Sequence, residues 1–135
     1  MTKPATVPGA CLCGAVRFEI ELPTSFCVHC HCSMCRRNHG AAFVTWVGVE
    51  KSQFRLLTAD ASLTRYGSSE FGVRSFCSRC GSSLFCEVDR QPEAIDITLA
   101  SLEGPIDRAP EMHVFFDTHV DWVELADSLP KLGGV

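Results

Sequence analysis

The alternation of apolar and polar residues in this 135-residue chain predicts a mainly β fold. Three observations carry that expectation. Apolar positions recur with a period of two, the repeat of a strand that buries one face. The runs are short and rich in Phe, Val, Ile and Thr, residues that pack well on a pleated surface. Gly, Pro, Asp and Ser fall between the runs, and no segment sustains an apolar stripe at helical spacing.

Taken in order, residues 1–9 read as a frayed lead-in. Val16, Phe18 and Ile20 alternate with Arg17, Glu19 and Glu21, a half-buried strand. Leu22-Pro23-Thr24-Ser25 marks a turn. Ser33 to His39 is the one helical stretch, a turn or two long, with Ser33 as N-cap and Gly40 as the stop. Phe43 to Val49, Phe54 to Thr58, Leu63 to Tyr66, Phe71 to Phe76 and Leu84 to Val88 follow as strands. Ile95, Ile97 and Leu99 alternate again, and His113 to Phe116 closes the set. Gly67-Ser68-Ser69, Gly104-Pro105 and Ala109-Pro110 read as turns. Nothing resembling a linker or repeat divides the chain, so residues 1–135 are expected to form one domain.

The nine cysteines fall into groups. Cys11-Leu12-Cys13-Gly14 places two sulfurs on one side of an extended segment. Cys77-Ser78-Arg79-Cys80-Gly81 is a turn that does the same, with glycine relieving the backbone. Structural zinc takes four protein ligands in a tetrahedron. Neither pair fills that shell alone, so the simplest closed site is Cys11, Cys13, Cys77 and Cys80. The middle group, Cys30-His31-Cys32-Ser33-Met34-Cys35, has three sulfurs. Three ligands with one exchangeable position is the pattern of a catalytic zinc. Cys27, three residues before Cys30, is the alternative fourth ligand that would make this second site closed and structural. Otherwise Cys27 and Cys86 are small buried hydrophobes in strands. His31, between two ligands, is expected to point away from the metal.

Composition agrees with a reduced, globular protein. The longest apolar stretch, Ala41 to Val49, is too short to cross a bilayer. Met1 to Pro8 lacks the basic start and apolar centre of a signal peptide, so the expected location is the cytoplasm, without a membrane. That compartment keeps thiols free for metal. The formal charge of −4 argues against nucleic acid, and thiolates around zinc make it more negative still.

The spacing Cys11-x-Cys13-Gly14, Cys30-His31-Cys32-Ser33-x-Cys35-Arg36 and Cys77-x-x-Cys80-Gly81 resembles the glutathione-dependent formaldehyde-activating enzyme family. Pro110-Glu111-Met112-His113-Val114-Phe115 followed by Trp122 resembles that family's closing motif. The resemblance spans Cys11 to about Trp122. It implies an Mss4-like, zinc-stapled β fold, a structural zinc on Cys11, Cys13, Cys77 and Cys80, and a second zinc on Cys30, Cys32 and Cys35 beside bound glutathione. The implied activity is that of a carbon–sulfur lyase, adding the glutathione thiol to formaldehyde or a similar small carbonyl, with Cys30, Cys32 and Cys35 as the catalytic set. Arg36, Arg37 and His39, just after Cys35, are the candidates to receive the carboxylates of glutathione, with Arg74 and Arg79 as helpers; Arg36 is the one the family motif includes, and plain solvated surface is the alternative for each. The competing expectation is a non-catalytic Mss4-like zinc scaffold that binds a protein partner through Phe115, Phe116 or Trp122.

Overall fold

The computed structural model describes residues 5–134. Its strands are β1 (Thr6–Ala10), β2 (Arg17–Glu21), β3 (Phe26–Cys30), β4 (Val44–Glu50), β5 (Phe54–Leu56), β6 (Leu63–Ser69), β7 (Gly72–Cys77), β8 (Ser83–Val88), β9 (Ala94–Thr98) and β10 (His113–Val114). The helix α1 (Ser33–His39) lies between β3 and β4. The protein is mainly β, as the alternation predicts. A small sheet has the order β1-β2-β5, and a large one the order β10-β3-β4-β9-β8-β7-β6. All pairings are antiparallel except β10 with β3.

The two faces of the large sheet have different fates. One packs against the small sheet, where Val16, Phe18, Ile20, Val49, Leu84 and Ile97 form the main core. Phe18, fully buried, meets Phe85 edge-on with ring centroids 4.9 Å apart. Burying one such side chain contributes roughly 1.5–3 kcal/mol. The other face carries a second cluster of Val28, Cys30, Cys35, Val44, Trp46 and Cys86.

Three expectations are corrected. The lead-in is not frayed where it can be described: Thr6–Ala10 pairs with β2 and buries Val7, while residues 1–4 lie outside the described residues. Pro8 fits there because β1 is an edge strand, where a missing N–H costs no ladder bond. The N-cap of α1 is Cys32, not Ser33, because the Cys32 sulfur accepts from the Cys35 amide at 3.2 Å. Gly40 stops the helix in a left-handed conformation as expected. Gly67 to Ser69 is not a turn but the end of β6, bulged against β7, and the reversal falls on Glu70 and Phe71.

Candidate metal centres

The fold brings the sulfurs of Cys11, Cys13, Cys77 and Cys80 within 4.8 Å of one another. Cys11 and Cys13 sit in the turn after β1; Cys77 ends β7 and Cys80 follows it. Gly14 (φ 82°) and Gly81 (φ 79°) take left-handed conformations, which other residues rarely adopt. Around these turns backbone amides aim at sulfur: Val16 N–H donates to Cys11 (3.2 Å), Ala15 N–H to Cys13 (3.4 Å), and the Arg79 and Cys80 amides to Cys77 (3.3 Å each). Such donors favour thiolate over thiol. The Ser82 hydroxyl pulls Cys80 down to about 5. Neighbouring sulfurs of a tetrahedron with Zn–S bonds of about 2.3 Å lie about 3.8 Å apart. Cys11 and Cys13 are 3.7 Å apart, and Cys13 and Cys77 3.8 Å. The donor set and its edges therefore fit zinc.

The second cluster holds Cys30, Cys32 and Cys35, also within 4.8 Å of one another. Cys30 ends β3, and the first turn of α1 swings Cys35 back to 3.5 Å from it. Trp46 Nε1–H donates to the Cys35 sulfur at 3.4 Å, and both terminal nitrogens of Arg74 reach it at 3.5 Å. Hydrogen bonds from Cys30 and Cys35 pull the Cys32 thiol far down, while those with Cys32 and Cys35 push Cys30 up. Three sulfurs with a buried guanidinium fit zinc as well. Among the described residues no fourth protein donor joins them. Cys27 is fully buried, but an odd separation along β3 turns it to the opposite face from Cys30. Cys86 is a buried strand residue whose thiol burial pushes up to about 11.

These three sulfurs line a cavity of about 590 Å³, within the range of small-molecule sites. Its walls are largely apolar, with Phe26, Trp46, Val88 and Phe115 prominent, and the C-terminal Leu132 and Gly133 close one side. Its charged members are Arg74, Arg90 and Asp96. Arg74 is buried; Arg90 is exposed at the rim. Arg36, Arg37 and Arg79 do not line this cavity, and Arg37 and Arg79 are exposed. His39 packs edge-on against Trp46 at 5.4 Å and lines a different cleft with Cys11 and Leu12.

His31 turns its Nε2 to within 2.8 Å of His113 Nδ1, and His113 Nε2 meets both oxygens of Asp127 at 3.1 Å. Burial pulls His31 down to about 4, with His113 adding to the effect, so the segment between Cys30 and Cys32 is held by a neutral imidazole. Asp127 belongs to the C-terminal segment, which hydrogen-bonds along β10 through Pro130 and Leu132. Sequence reasoning missed this relay and also Trp46, Arg90 and Asp96. The alternation does mark Trp46 as a strand residue, but no sequence spacing links positions that strand register alone brings together.

No helix among the described residues is long and apolar enough to cross a membrane. A mainly β scaffold with two cysteine clusters suited to zinc, one set in a cavity, defines the class of protein. A family model for glutathione-dependent formaldehyde-activating enzymes matches residues 6–118, and the chain belongs to that enzyme family. It is 31% identical over 125 residues, covering 87% of this chain and 79% of the other, to a Halomonas elongata protein named "Putative glutathione-dependent formaldehyde-activating enzyme". It is 33% identical over 79 residues, 57% of this chain and 54% of the other, to a Schizosaccharomyces pombe protein named as an uncharacterized lyase. A crystal structure of a Rhodobacter sphaeroides protein aligns with a TM-score of 0.59 at 33% identity, covering 75% of this chain and 92% of that one.

Proposed function

We propose that the chain is a zinc-dependent carbon–sulfur lyase that joins a thiol, glutathione in the first instance, to formaldehyde or a similar small carbonyl, and splits the adduct in reverse. The observation that supports this most is the placement of three converging sulfurs, with no fourth protein donor among the described residues, in the wall of a ligand-sized cavity. Membership of the family supports the substrate pair. Zinc held by Cys30, Cys32 and Cys35 would supply Lewis acidity that lowers the pKa of an arriving thiol below its free value of about 8.5. Cys11, Cys13, Cys77 and Cys80 would hold a second, purely structural zinc.

The chain's own residues prepare the cavity. Trp46 and Arg74 fix the Cys35 sulfur and balance the negative charge of the cluster. The Cys35 amide does the same for Cys32. Arg90, the exposed cation of the lining, would receive a carboxylate of the thiol substrate, the role expected, from the sequence, of Arg36, Arg37 and His39. Apolar walls exclude water from the carbonyl and strengthen every charge interaction inside. The protein-binding scaffold has weaker support: Phe115 lines the cavity and Phe116 stacks on His119 at 3.9 Å, which leaves Trp122 as the one strongly exposed aromatic of the three.

The test is the exchange rate between free formaldehyde and its glutathione adduct, followed by exchange NMR on zinc-loaded protein. The native chain should accelerate exchange over solution. Cys32→Ser should abolish the acceleration while its circular dichroism and one zinc per chain persist. Unchanged exchange with the native, doubly loaded protein would refute the activity.

A further inference from the structure

We propose that Asp96 is the proton-transfer residue of the cavity, taking the proton that leaves the thiol and delivering it to the carbonyl oxygen as the carbon–sulfur bond forms. The reaction rests on the reading above; the choice of residue rests on strand register. Arg74, Cys86 and Asp96 are paired successively across β7, β8 and β9, and Gly48 of β4 is the next partner. Cross-strand partners project to the same face, so Asp96 shares the sheet face of Arg74, and both line the cavity that holds the three sulfurs.

The same row leaves the carboxyl without a partner. Gly48 has no side chain, and the Phe26 ring lies over it so closely that a Cβ there would stand 2.2 Å from the ring. Cys86 on the other side presents a neutral thiol. Arg74 directs both terminal nitrogens at Cys35. Arg90, at the rim, acts from a distance. Asp96 makes no hydrogen bond or ion pair among the described residues, whereas the carboxylate of Asp107 accepts from the Thr24 amide and hydroxyl. Asp96 is half-buried and lines the cavity with no protein partner among the described residues for its carboxyl, so the carboxyl is free to exchange a proton with a reactant held there. Burial raises Asp96 to about 6, with Arg90 and Arg74 opposing, which places it where a proton shuttle at neutral pH works best.

The step balances without another reagent. The S–H bond breaks and its proton passes to the Asp96 carboxylate; the sulfur forms a bond to carbon, and the C=O π pair moves to oxygen. Asp96 then returns the proton to that oxygen and ends as it began. The groups facing it are Arg74 on β7, Cys86 on β8, Arg90 after β8 and the cysteine trio from β3 and α1.

The experiment compares the zinc-loaded native chain with Asp96→Asn and Asp96→Glu by the same exchange NMR between pH 5 and 8, with zinc content checked at each pH. Asp96→Asn keeps the shape of the side chain and removes a half-buried charge, so it should fold with both zincs. Expected are a fall in kcat of about 100-fold with KM within about two-fold, loss of the rise in kcat through about pH 6, and partial recovery in Asp96→Glu. An unaltered kcat and pH profile would overturn the assignment, as would a loss confined to KM, which would make Asp96 a docking group for the substrate's ammonium. A native protein with no acceleration would refute both this assignment and the reaction itself.

Discussion

The two cysteine clusters are built from the same ligand and do opposite things. The four-sulfur corner ties the turn after β1 to the end of β7, so it links the small sheet to the large one, and Cys11 and Cys77 are part of the main core. Its charge is balanced by backbone amides from two tight turns. The three-sulfur cluster lies on the other face of the large sheet, anchored by side chains, Trp46 and Arg74, and bordered by a cavity. Backbone support makes a site rigid and indifferent to its surroundings, whereas side-chain support leaves room and tunes charge. The difference separates holding a fold together from holding a reactant.

The largest effect should come from opening the closed corner. Cys77→Ser, at a position 1% exposed, removes a ligand from the site that joins the sheets. A structural zinc contributes on the order of 10 kcal/mol to folding. The variant should lack a cooperative unfolding transition by circular dichroism and should lose both metals. Next in size, Arg74→Met removes the guanidinium from Cys35 and should weaken the second zinc about 10- to 100-fold while the first stays bound, as read by competition with a chromophoric chelator. Equal weakening of both zincs would erase the distinction between the clusters.

A smaller effect sharpens the contrast through pH. The folded pKa of Asp96, about 6, lies above the ordinary 3.8. The stability it contributes is therefore complete below about pH 4 and is lost as pH rises through 6. Asp96→Asn should gain about 1 kcal/mol on the native chain between pH 5 and pH 7.5 in urea unfolding of zinc-loaded protein. A constant difference would show that the cavity does not strain this carboxyl. Smallest of all, Cys27→Ser should cost about 1 kcal/mol in stability and leave two zincs per chain. Loss of the second zinc in that variant would make the trio a closed four-thiolate site.

The features legible in the sequence are those written in local spacing. Val16, Phe18 and Ile20 announced β2, and Ile95 and Ile97 announced β9, because a half-buried strand imposes its period directly. The cysteine pairs were legible for the same reason, and a shell of four ligands then matched the pair at Cys11 and Cys13 with the pair at Cys77 and Cys80. β1 was hidden because one buried valine beside a proline makes no pattern. Cys32 takes the place of Ser33 as the helix cap because the backbone is still extended at Cys32 and already helical at Ser33, which sets the Cys32 sulfur, not the Ser33 hydroxyl, at the cap position facing the Cys35 amide. The row of Arg74, Cys86 and Asp96 and the relay of His31, His113 and Asp127 depend on strand register and on how the C-terminal segment returns along β10, neither of which spacing encodes.

The contrast between the clusters is tested most directly by counting zinc per chain after timed exposure to a mild chelator, with and without glutathione. The account predicts two kinetic classes: one zinc that resists and ignores the thiol, and one that leaves readily and whose release rate glutathione changes. Two zincs released together, at a rate the thiol does not alter, would contradict it.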